Sequence, residues 1–564
     1  MKLLEVNNLS LSFKNKLDKQ QVLKNISFSL YKSQTLGIVG ESGSGKSLTA
    51  LSILKLLPKN SSIDNGEIFY FLENEKIDIL KLNEREMLNI RGKNISMIFQ
   101  EPMTSLNPSM KCGLQVHETL KYHLKISNKE AKNRVIELFN EVKLPNPERI
   151  YHSYPHEISG GQKQRVMIAM AIALNPSVLI ADEPTTALDV TVQKTILELL
   201  KQIQKKYQMS IIFISHDLGV VSQIADHVLV MYDGEVVEMG ESTQILVNPG
   251  HPYTKGLLKC RPELNLSTDR LPVLSDFIEP RSNANNENRE VKIQNRKNDF
   301  QVELLKVSNL NKVFVSKRNF IGKPKQEQIA VKNLSFCVFK GEALGLVGES
   351  GCGKTTLGRI IAQLIEKNSG TVEYKGKLIN KLTAKELKQF RKSVQIIFQD
   401  PYSSLNPKLT IGEALSEPLK VHNLFNKAER KNKVFEILEK VKLDPNSYQK
   451  YPHEFSGGQR QRIVIARALI LNPEFILCDE SVSALDVSVQ SEILNLLNDL
   501  KDEYDLTYIF ISHDLSVVKY MADRIMVMKD GELVEINKAD VLYKTPASEY
   551  TKNLINSIPE IKIS

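Results

Sequence analysis

The sequence predicts an α/β protein built from two tandem domains of the same fold. In each half, an apolar run typical of a buried strand leads into a glycine-rich turn, at residues 36–47 and again at 344–355. Several further short motifs recur in the same order about 300 positions later. A chain of 564 residues is long enough for two domains, each with a complete core.

The composition is that of an ordinary globular protein, with 41% hydrophobic and 25% charged residues. A net charge of +9 spread over this length is weak evidence for nucleic-acid binding, and no nucleic acid is expected. Five scattered cysteines without a C-x-x-C pair predict neither a disulfide framework nor a metal cluster, and they favour a reducing compartment. No signal peptide or membrane span is recognisable, so we expect a cytoplasmic chain whose membrane role needs a partner.

The chain begins with segments whose apolar residues alternate with polar ones, between residues 3 and 30. This period of two predicts a small, half-exposed β-region. Phe13 and its counterpart Phe314 each offer an aromatic face on which an adenine ring could stack. Single aromatics in strands also serve as core residues, and the sequence leaves both alternatives open.

The glycine-rich turns at residues 40–47 and 348–355 match the pattern G-x-x-x-x-G-K-[ST]. Glycines let successive backbone N–H groups point inward and form a nest for phosphate oxygens, and the following helix N-terminus adds partial positive charge. The lysine then reaches the β- and γ-phosphates, and the hydroxyl that follows it ligates Mg²⁺. The predicted nucleotide-binding residues are Gly40, Ser42, Gly43, Gly45, Lys46, Ser47 and Leu48, with Gly348, Ser350, Gly351, Gly353, Lys354, Thr355 and Thr356.

After the first helix, a second strand-like run in each half reaches a glutamine, Gln100 or Gln399. A polar residue at the end of a buried strand lies where the sheet opens onto a ligand. The prolines at both ends of segments 102–108 and 401–407 predict exposed loops. Apolar stripes of helical period at residues 135–142 and 434–441 then predict core-facing helices of an α-helical insertion.

Two more motifs follow the insertion. Ser-Gly-Gly-Gln directly before a helix is typical of an anion-binding helix N-terminus, although a simple N-cap turn has the same pattern. Next, a wholly apolar strand ends in adjacent carboxylates, which are costly to bury unless a cation or water meets them. The motifs are Ser159, Gly160, Gly161 and Gln162, then Asp182 and Glu183, in the first half, and Ser456, Gly457, Gly458 and Gln459, then Asp479 and Glu480, in the second.

The composition of the chain is different between residues 260 and 301. This stretch is rich in asparagine and charge, and it has few apolar residues and no periodicity. It predicts a flexible linker between a first domain over 1–259 and a second over 302–564.

The complete set of motifs, with His216 and His513 after a later strand, resembles the ATP-binding cassette (ABC) ATPases. The resemblance implies a RecA-like core with a β-subdomain and a helical subdomain. It also implies that two cassettes pack head to tail. Each ATP would lie between one glycine-rich turn, called the P-loop (residues 40–47 or 348–355), and the Ser-Gly-Gly-Gln of the other cassette. Residues 187–189 and 484–486 match the segment that crosses that interface.

The resemblance also assigns roles. The aspartates hold Mg²⁺ through its water shell, the glutamates polarise the attacking water, the histidines contact the γ-phosphate, and the glutamines sense metal and water. These residues are Asp182, Glu183, His216 and Gln100 in the first half, and Asp479, Glu480, His513 and Gln399 in the second. Ile158 and Phe455 stand where many members have leucine, and Ser481 stands where the first half has Pro184. We expect neither departure to inactivate a site.

Finer features resemble the peptide and nickel import branch of this family. They are Ser-Leu-Asn-Pro after each glutamine, Tyr-Pro-His-Glu before each Ser-Gly-Gly-Gln, and His-Pro-Tyr-Thr at 251–254, echoed at 547–551. The resemblance implies an ATP-hydrolysing subunit of an importer for di- or oligopeptides or related solutes, at the cytoplasmic face of the membrane. Its partners would be two transmembrane permease subunits and an extracytoplasmic solute-binding protein.

The alternative is a soluble twin-cassette ATPase acting on ribosomes. Such proteins usually join their cassettes by a long, charged helical hairpin, whereas the linker here is aperiodic. The sequence therefore favours transport, without encoding the exact solute.

Overall fold

The computed structural model describes residues 1–14, 19–72, 75–100, 105–186, 188–262, 270–278, 301–318 and 324–558. The described chain divides into two compact units. The first contains residues 1–188 and 192–258, and the second contains residues 189–191 and 259–558. Both units combine helices with two sheets, which confirms the predicted pair of α/β domains.

The central sheet of the first unit has six strands in the order β10-β9-β3-β8-β7-β6. All neighbours pair in parallel except β9 and β10. Strands β3, β7 and β8 are buried along their whole length, as expected for apolar strands covered on both faces. The six strands are β3 Thr35–Val39, β6 Ile95–Ile98, β7 Val178–Asp182, β8 Ser210–Ser215, β9 His227–Tyr232 and β10 Glu235–Glu241.

A second, antiparallel sheet holds the N-terminal strands in the order β2-β1-β4-β5. Burial alternates along β2, which confirms the half-exposed β-region predicted from the period of two. Its inner face shares a hydrophobic core with the central sheet and the helix after the first glycine turn. The strands are β1 Lys2–Lys14, β2 Lys19–Tyr31, β4 Ser61–Leu72 and β5 Glu75–Asp78.

The predicted helical insertion lies between β6 and β7. Its helix Asn128–Glu141 starts at a capping box between Ser127 and Glu130, and its apolar stripe is buried as predicted. The helices given by the described residues of the first half are Lys46–Ile53, Glu84–Ile90, Cys112–Leu124, Asn128–Glu141, Pro147–His152, Gly160–Ile172, Val190–Tyr207, Leu218–Val221, Ser242–Val247 and Pro252–Lys259, with 3₁₀ turns Ile79–Lys81 and Pro155–Glu157.

The second unit repeats this architecture, with sheets in the orders β12-β11-β14-β15 and β16-β17-β18-β13-β19-β20. Its strands are β11 Glu303–Arg318, β12 Pro324–Phe339, β13 Ala343–Val347, β14 Ser369–Tyr374, β15 Lys377–Leu378, β16 Val394–Ile397, β17 Phe475–Asp479, β18 Thr507–Ile511, β19 Arg524–Lys529 and β20 Glu532–Lys538. Its helices are Lys354–Ile361, Ala384–Ser393, Pro401–Ser404, Ile411–Val421, Lys427–Lys440, Gly457–Leu469, Val487–Tyr504, Leu515–Met521, Ala539–Lys544 and Glu549–Ile555, with 3₁₀ turns Ile379–Lys381, Pro445–Gln449 and Pro452–Glu454.

Two segments differ from the sequence-based expectation. The loop predicted over 401–407 begins as one helical turn, because the Asp400 carboxylate caps the N–H groups of Tyr402 and Ser403. Of the predicted linker, residues 270–278 pack on the second unit, where Leu271 is buried in the core and Ser275–Ile278 is helical. The asparagine-rich residues 279–300 lie outside the described residues, so their predicted flexibility stays a prediction.

Two further observations concern the whole chain. All five cysteines are free thiols, and all but Cys337 are buried. Among the helices that the structure describes, none is both long and apolar enough to cross a lipid bilayer.

Candidate active sites

In both units, the glycine turn connects a buried central strand to a helix that starts at the motif lysine. Gly43 and Gly45 have φ values of 86° and 99°, in the left-handed region that side chains disfavour. A Cβ on Gly40 would lie only 2.2 Å from the carbonyl oxygen of Met231, whereas one on Gly43 would meet open space. The loop therefore requires its glycines and leaves an open cradle beside Gly43.

The motif lysines lie inside these loops. The Lys46 ammonium donates to the carbonyl oxygens of Gly40 and Glu41, each at 2.7 Å. The Lys354 ammonium donates to those of Gly348 at 2.6 Å and Glu349 at 2.9 Å. Because both lysines are buried, each places a positive charge at the loop where phosphate oxygens can meet it.

The hydroxyls predicted to bind Mg²⁺ lie next to the predicted aspartates. Ser47 Oγ donates to Asp182 Oδ1 at 3.1 Å, and Thr355 Oγ1 donates to Asp479 Oδ1 at 3.0 Å. Burial raises the pKa of Asp182 to about 6, and the neighbouring Glu183 also raises it, while the Ser47 hydrogen bond lowers it. A bound cation would relieve this cost of burying the charge, and a set of oxygen donors is what Mg²⁺ prefers. The residues therefore fit the metal.

The glutamates occupy the same edge of the sheet, one residue after β7 and β17. Glu183 Oε2 accepts a hydrogen bond from Gln100 Nε2 at 3.1 Å and lies 3.3 Å from His216 Nδ1. In the second unit, the corresponding distances from Glu480 are 2.8 Å to Gln399 and 3.6 Å to His513. The fold thus brings together three side chains from separate strand ends in each unit.

The electrostatics keep these glutamates ionised. Burial opposes the charge on Glu183, but the hydrogen bond and positive charge of His216 outweigh it, and the pKa is lowered to about 2. The pKa of Glu480 is lowered as well, since His513 and Lys354 outweigh its burial. An ionised carboxylate held in place by a glutamine and a histidine can orient and polarise a water molecule.

One contact distinguishes the two sites, and sequence reasoning missed it. Thr186 Oγ1 donates to Glu183 Oε2 at 2.8 Å. Its counterpart Ser483 instead donates to the backbone carbonyl of Glu480 at 2.9 Å. The only signal in the sequence is the threonine-to-serine difference three residues after each glutamate.

The Ser-Gly-Gly-Gln motifs cap the helices Gly160–Ile172 and Gly457–Leu469. Each serine forms a capping box with the glutamine of its motif and is exposed to solvent. A Cβ on Gly161 would lie 2.8 Å from Val192 Cγ1, so the neighbouring helix requires this glycine. Ile158 and Phe455 are buried, as expected for positions that pack rather than touch a ligand.

Other predicted residues are less closely tied to the site. Phe13 packs partly against the core of the first unit, whereas Phe314 is 39% exposed, with the Lys312 ammonium 5.0 Å from its ring centroid. Adenine stacking therefore stays a prediction for both. Met103 and Ala187 lie outside the described residues.

Sequence reasoning also missed a contact made by the C-terminal tail of each unit, which contains helix Pro252–Lys259 or helix Glu549–Ile555. The backbone N–H of Glu41 donates to the Tyr253 hydroxyl at 2.9 Å, and that of Glu349 donates to the Tyr550 hydroxyl at 3.3 Å. The sequence showed the paired tyrosines, but only as a marker of the family branch.

Comparison with known families gives two matches, each of them present twice. The family described as "ABC transporter" matches residues 23–186 and 331–483. The family described as "Oligopeptide/dipeptide transporter, C-terminal region" matches residues 237–284 and 534–564.

Similar curated proteins align along nearly the whole chain. The glutathione import ATP-binding protein GsiA of Escherichia coli O6:H1 (strain CFT073) is 44% identical over 564 residues, which cover 99% of this chain and 89% of that protein. GsiA of E. coli strain K12 is 43% identical over 563 residues with the same coverage. GsiA of Pectobacterium atrosepticum is 42% identical over 565 residues, or 99% of this chain and 90% of that protein.

Proposed function

Since this chain belongs to the ABC transporter ATPases, in the branch with the oligopeptide/dipeptide C-terminal region, we propose that it drives the uptake of short peptides or related solutes through two separate permease subunits. The observation that carries the proposal is the presence of a complete Lys–Asp–Glu–Gln–His set in both units, each followed by the branch's tail region. The similarity to glutathione import proteins supports a small peptide as the solute.

ATP hydrolysis at these sites asks mainly for positioning and charge neutralisation. The loop N–H groups and the lysine bind the phosphates. Glu183 or Glu480 holds and polarises the attacking water and stabilises the positive charge that develops on it. Mg²⁺ would neutralise negative charge on the phosphate oxygens. In the first unit, Ser47, Asp182 and Gln100 would hold the metal ion. Thr355, Asp479 and Gln399 are the matching residues in the second.

A surface groove in the second unit supports a permease contact next to the site. A cavity of about 370 Å³ is lined by residues 403–407 together with Leu409, Ala414, Glu417 and Arg467. Arg467 donates to the Ser404 carbonyl at 3.0 Å and to Glu417 at 2.8 Å, which fixes one wall. The groove begins four residues after Gln399, so a short cytoplasmic helix of a permease subunit bound there could respond to the state of the ATP site.

We place the protein at the cytoplasmic face of the membrane, where ATP is available, as a peripheral subunit. An extracytoplasmic solute-binding protein would deliver the peptide to the permease. The ribosome-acting alternative has less support, because the similar proteins that align over 99% of this chain are import proteins.

Uptake in cells that lack this gene tests the proposal. Wild-type protein should restore accumulation of a labelled dipeptide, an oligopeptide or glutathione, whereas the double variant Glu183→Gln/Glu480→Gln should leave uptake at least about ten-fold lower. Restoration by the double variant would contradict hydrolysis-driven import. Unchanged uptake together with an altered ribosome profile would favour the alternative.

A further inference from the structure

Each unit returns its C-terminal tail to its own P-loop. Tyr253 lies on helix Pro252–Lys259 and Tyr550 on helix Glu549–Ile555, 212 and 201 residues after the loop glutamates that they contact. The same contact in both units, between elements so distant in sequence, is not explained by a local turn.

The contact acts on one particular peptide group. The N–H of Glu41 donates to the Tyr253 hydroxyl, and the carbonyl of the same peptide group, that of Gly40, accepts from Lys46 Nζ at 2.7 Å. The second unit repeats this arrangement with Tyr550 on the N–H of Glu349 and Lys354 on the carbonyl of Gly348. The first peptide plane of each P-loop is thus held from one side by a tail tyrosine and from the other by the phosphate-binding lysine.

The tails are themselves fixed to the sheet. The Glu238 carboxylate of β10 accepts the N–H groups of Gly250 and His251, at 2.6 Å and 3.2 Å, just before the first tail helix. In β20, Glu535 does the same for Ala547 and Ser548. These bonds fix the position of each tyrosine relative to its P-loop.

The surroundings of the two tyrosines differ although the contact is the same. Tyr253 is fully buried and packs on Tyr232, with ring centroids 4.4 Å apart. At the corresponding position in the second unit, Lys529 lies 4.9 Å from the Tyr550 ring centroid. The hydroxyl bond to the loop is retained while the packing around the ring changes, which indicates that the bond itself matters.

We propose that Tyr253 and Tyr550 are positioning residues for the binding of ATP by the P-loop of their own unit. By fixing the first peptide plane of the P-loop, they preorganise the lysine and the loop N–H groups for the phosphates of ATP. This proposal rests on the ATPase activity proposed above, and it gives the C-terminal tail a role at the nucleotide site of its own unit.

Tyrosine-to-phenylalanine variants of the full chain test the proposal one site at a time. Tyr253→Phe is combined with Lys354→Ala, which disables the second site, and Tyr550→Phe is combined with Lys46→Ala. Binding of radiolabelled MgATP should weaken by roughly three- to ten-fold in each case, the loss expected for one hydrogen bond. The larger loss is expected for Tyr253→Phe, whose bond is shorter.

Matched controls remove a buried hydroxyl elsewhere in the same unit. Tyr70 bonds Ser177 at 2.8 Å in the first unit, and Tyr508 donates to the Leu497 carbonyl at 3.0 Å in the second. Tyr70→Phe and Tyr508→Phe should leave the MgATP affinity unchanged.

Steady-state kinetics separate positioning from stability. With both lysines intact, Tyr253→Phe and Tyr550→Phe should raise KM for ATP and leave kcat nearly unchanged, because the loop binds phosphate in the ground and transition states alike. Unchanged KM with a lower kcat and lower Tm would show a purely structural role and overturn the proposal, as would equal losses in the controls. Failure of the wild-type chain to bind MgATP would instead overturn the ATPase assignment.

Discussion

At the scale of single residues, the glutamates after β7 and β17 combine strain with electrostatic support. Glu183 and Glu480 have φ values of 46° and 48°, an uncommon conformation that costs on the order of 1 kcal/mol or more. Their side chains are only 11% and 17% exposed, yet a histidine keeps the pKa of each lowered. Strain and burial at an ionised carboxylate are typical of a residue kept for chemistry rather than stability.

Replacing both glutamates with glutamine should therefore separate binding from hydrolysis. Glu183→Gln/Glu480→Gln removes the charge that orients water but leaves the P-loops intact. We expect kcat to fall by about 100-fold or more, with MgATP affinity within a factor of about three. A phosphate-release assay and binding of labelled ATP measure the two quantities.

A surface carboxylate serves as the control for this prediction. Glu137 pairs with Arg134 on an exposed helix face, so Glu137→Gln should change neither quantity. Loss of ATP binding in the double variant would show that Glu183 and Glu480 are misassigned.

At the scale of elements, the segment 270–278 shows how a stretch without helical or strand periodicity becomes ordered. The buried Asn495 amide accepts from the N–H of Leu271 at 3.0 Å and donates to its carbonyl at 2.8 Å, as a neighbouring strand would. The Tyr520 hydroxyl donates to Asn495 Oδ1 at 2.7 Å and orients the amide. One side chain thus satisfies both backbone groups of a buried residue.

Asn495→Ala should release this segment from the second unit. It leaves both backbone groups of Leu271 without their partner, at about 1–3 kcal/mol for each group. Hydrogen exchange at the Leu271 amide should then accelerate by more than about ten-fold. Asp499→Ala removes only the exposed pair with Arg270 and should change exchange by less than about five-fold. Equal effects of the two substitutions would contradict this account.

We predict that the segments after Gln100 and Gln399, residues 102–108 and 401–407, couple ATP hydrolysis to the permease. Tyr402 is 64% exposed, and the Arg460 guanidinium lies 3.9 Å from its ring centroid. Substitution of Met103 and Tyr402 by charged residues should leave MgATP binding of the isolated protein unchanged. They should abolish assembly with the permease or reduce uptake by about ten-fold or more while hydrolysis continues.

The control for this prediction is Tyr31→Glu, which changes an exposed tyrosine at the end of β2. It should assemble with the permease and transport like the wild-type protein. Normal uptake by the variant carrying charges at Met103 and Tyr402 would remove these segments from the mechanism.

At the scale of the whole molecule, the duplication makes a prediction about oligomeric state. In this family each ATP is expected between one P-loop and the Ser-Gly-Gly-Gln of the other cassette, and this chain carries both motifs twice. We expect the ATP-bound Glu183→Gln/Glu480→Gln protein to scatter light mainly as a monomer of 63.9 kDa. An obligatory homodimer under these conditions, with the ADP-bound protein as reference, would contradict an intramolecular pair.

Much of the candidate site was predictable because its residues are tied to strand ends. The P-loop, the Asp–Glu pair and the histidine each follow an apolar run, and parallel strands place their carboxyl ends at one edge of a sheet. The contacts of Thr186 and the tail tyrosines could not be predicted in this way. A hydroxyl has several possible acceptors, and the partners of the tyrosines lie more than 200 residues away.

The sequence by itself determined the duplicated α/β fold, the nucleotide chemistry and the family, because these depend on local period and on motif order. Only the tertiary structure decided that a tail tyrosine holds the first peptide group of each P-loop and that Asn495 fixes the segment after the first unit. Both depend on long-range distances between one polar atom and another, and no local propensity or spacing in the chain determines those.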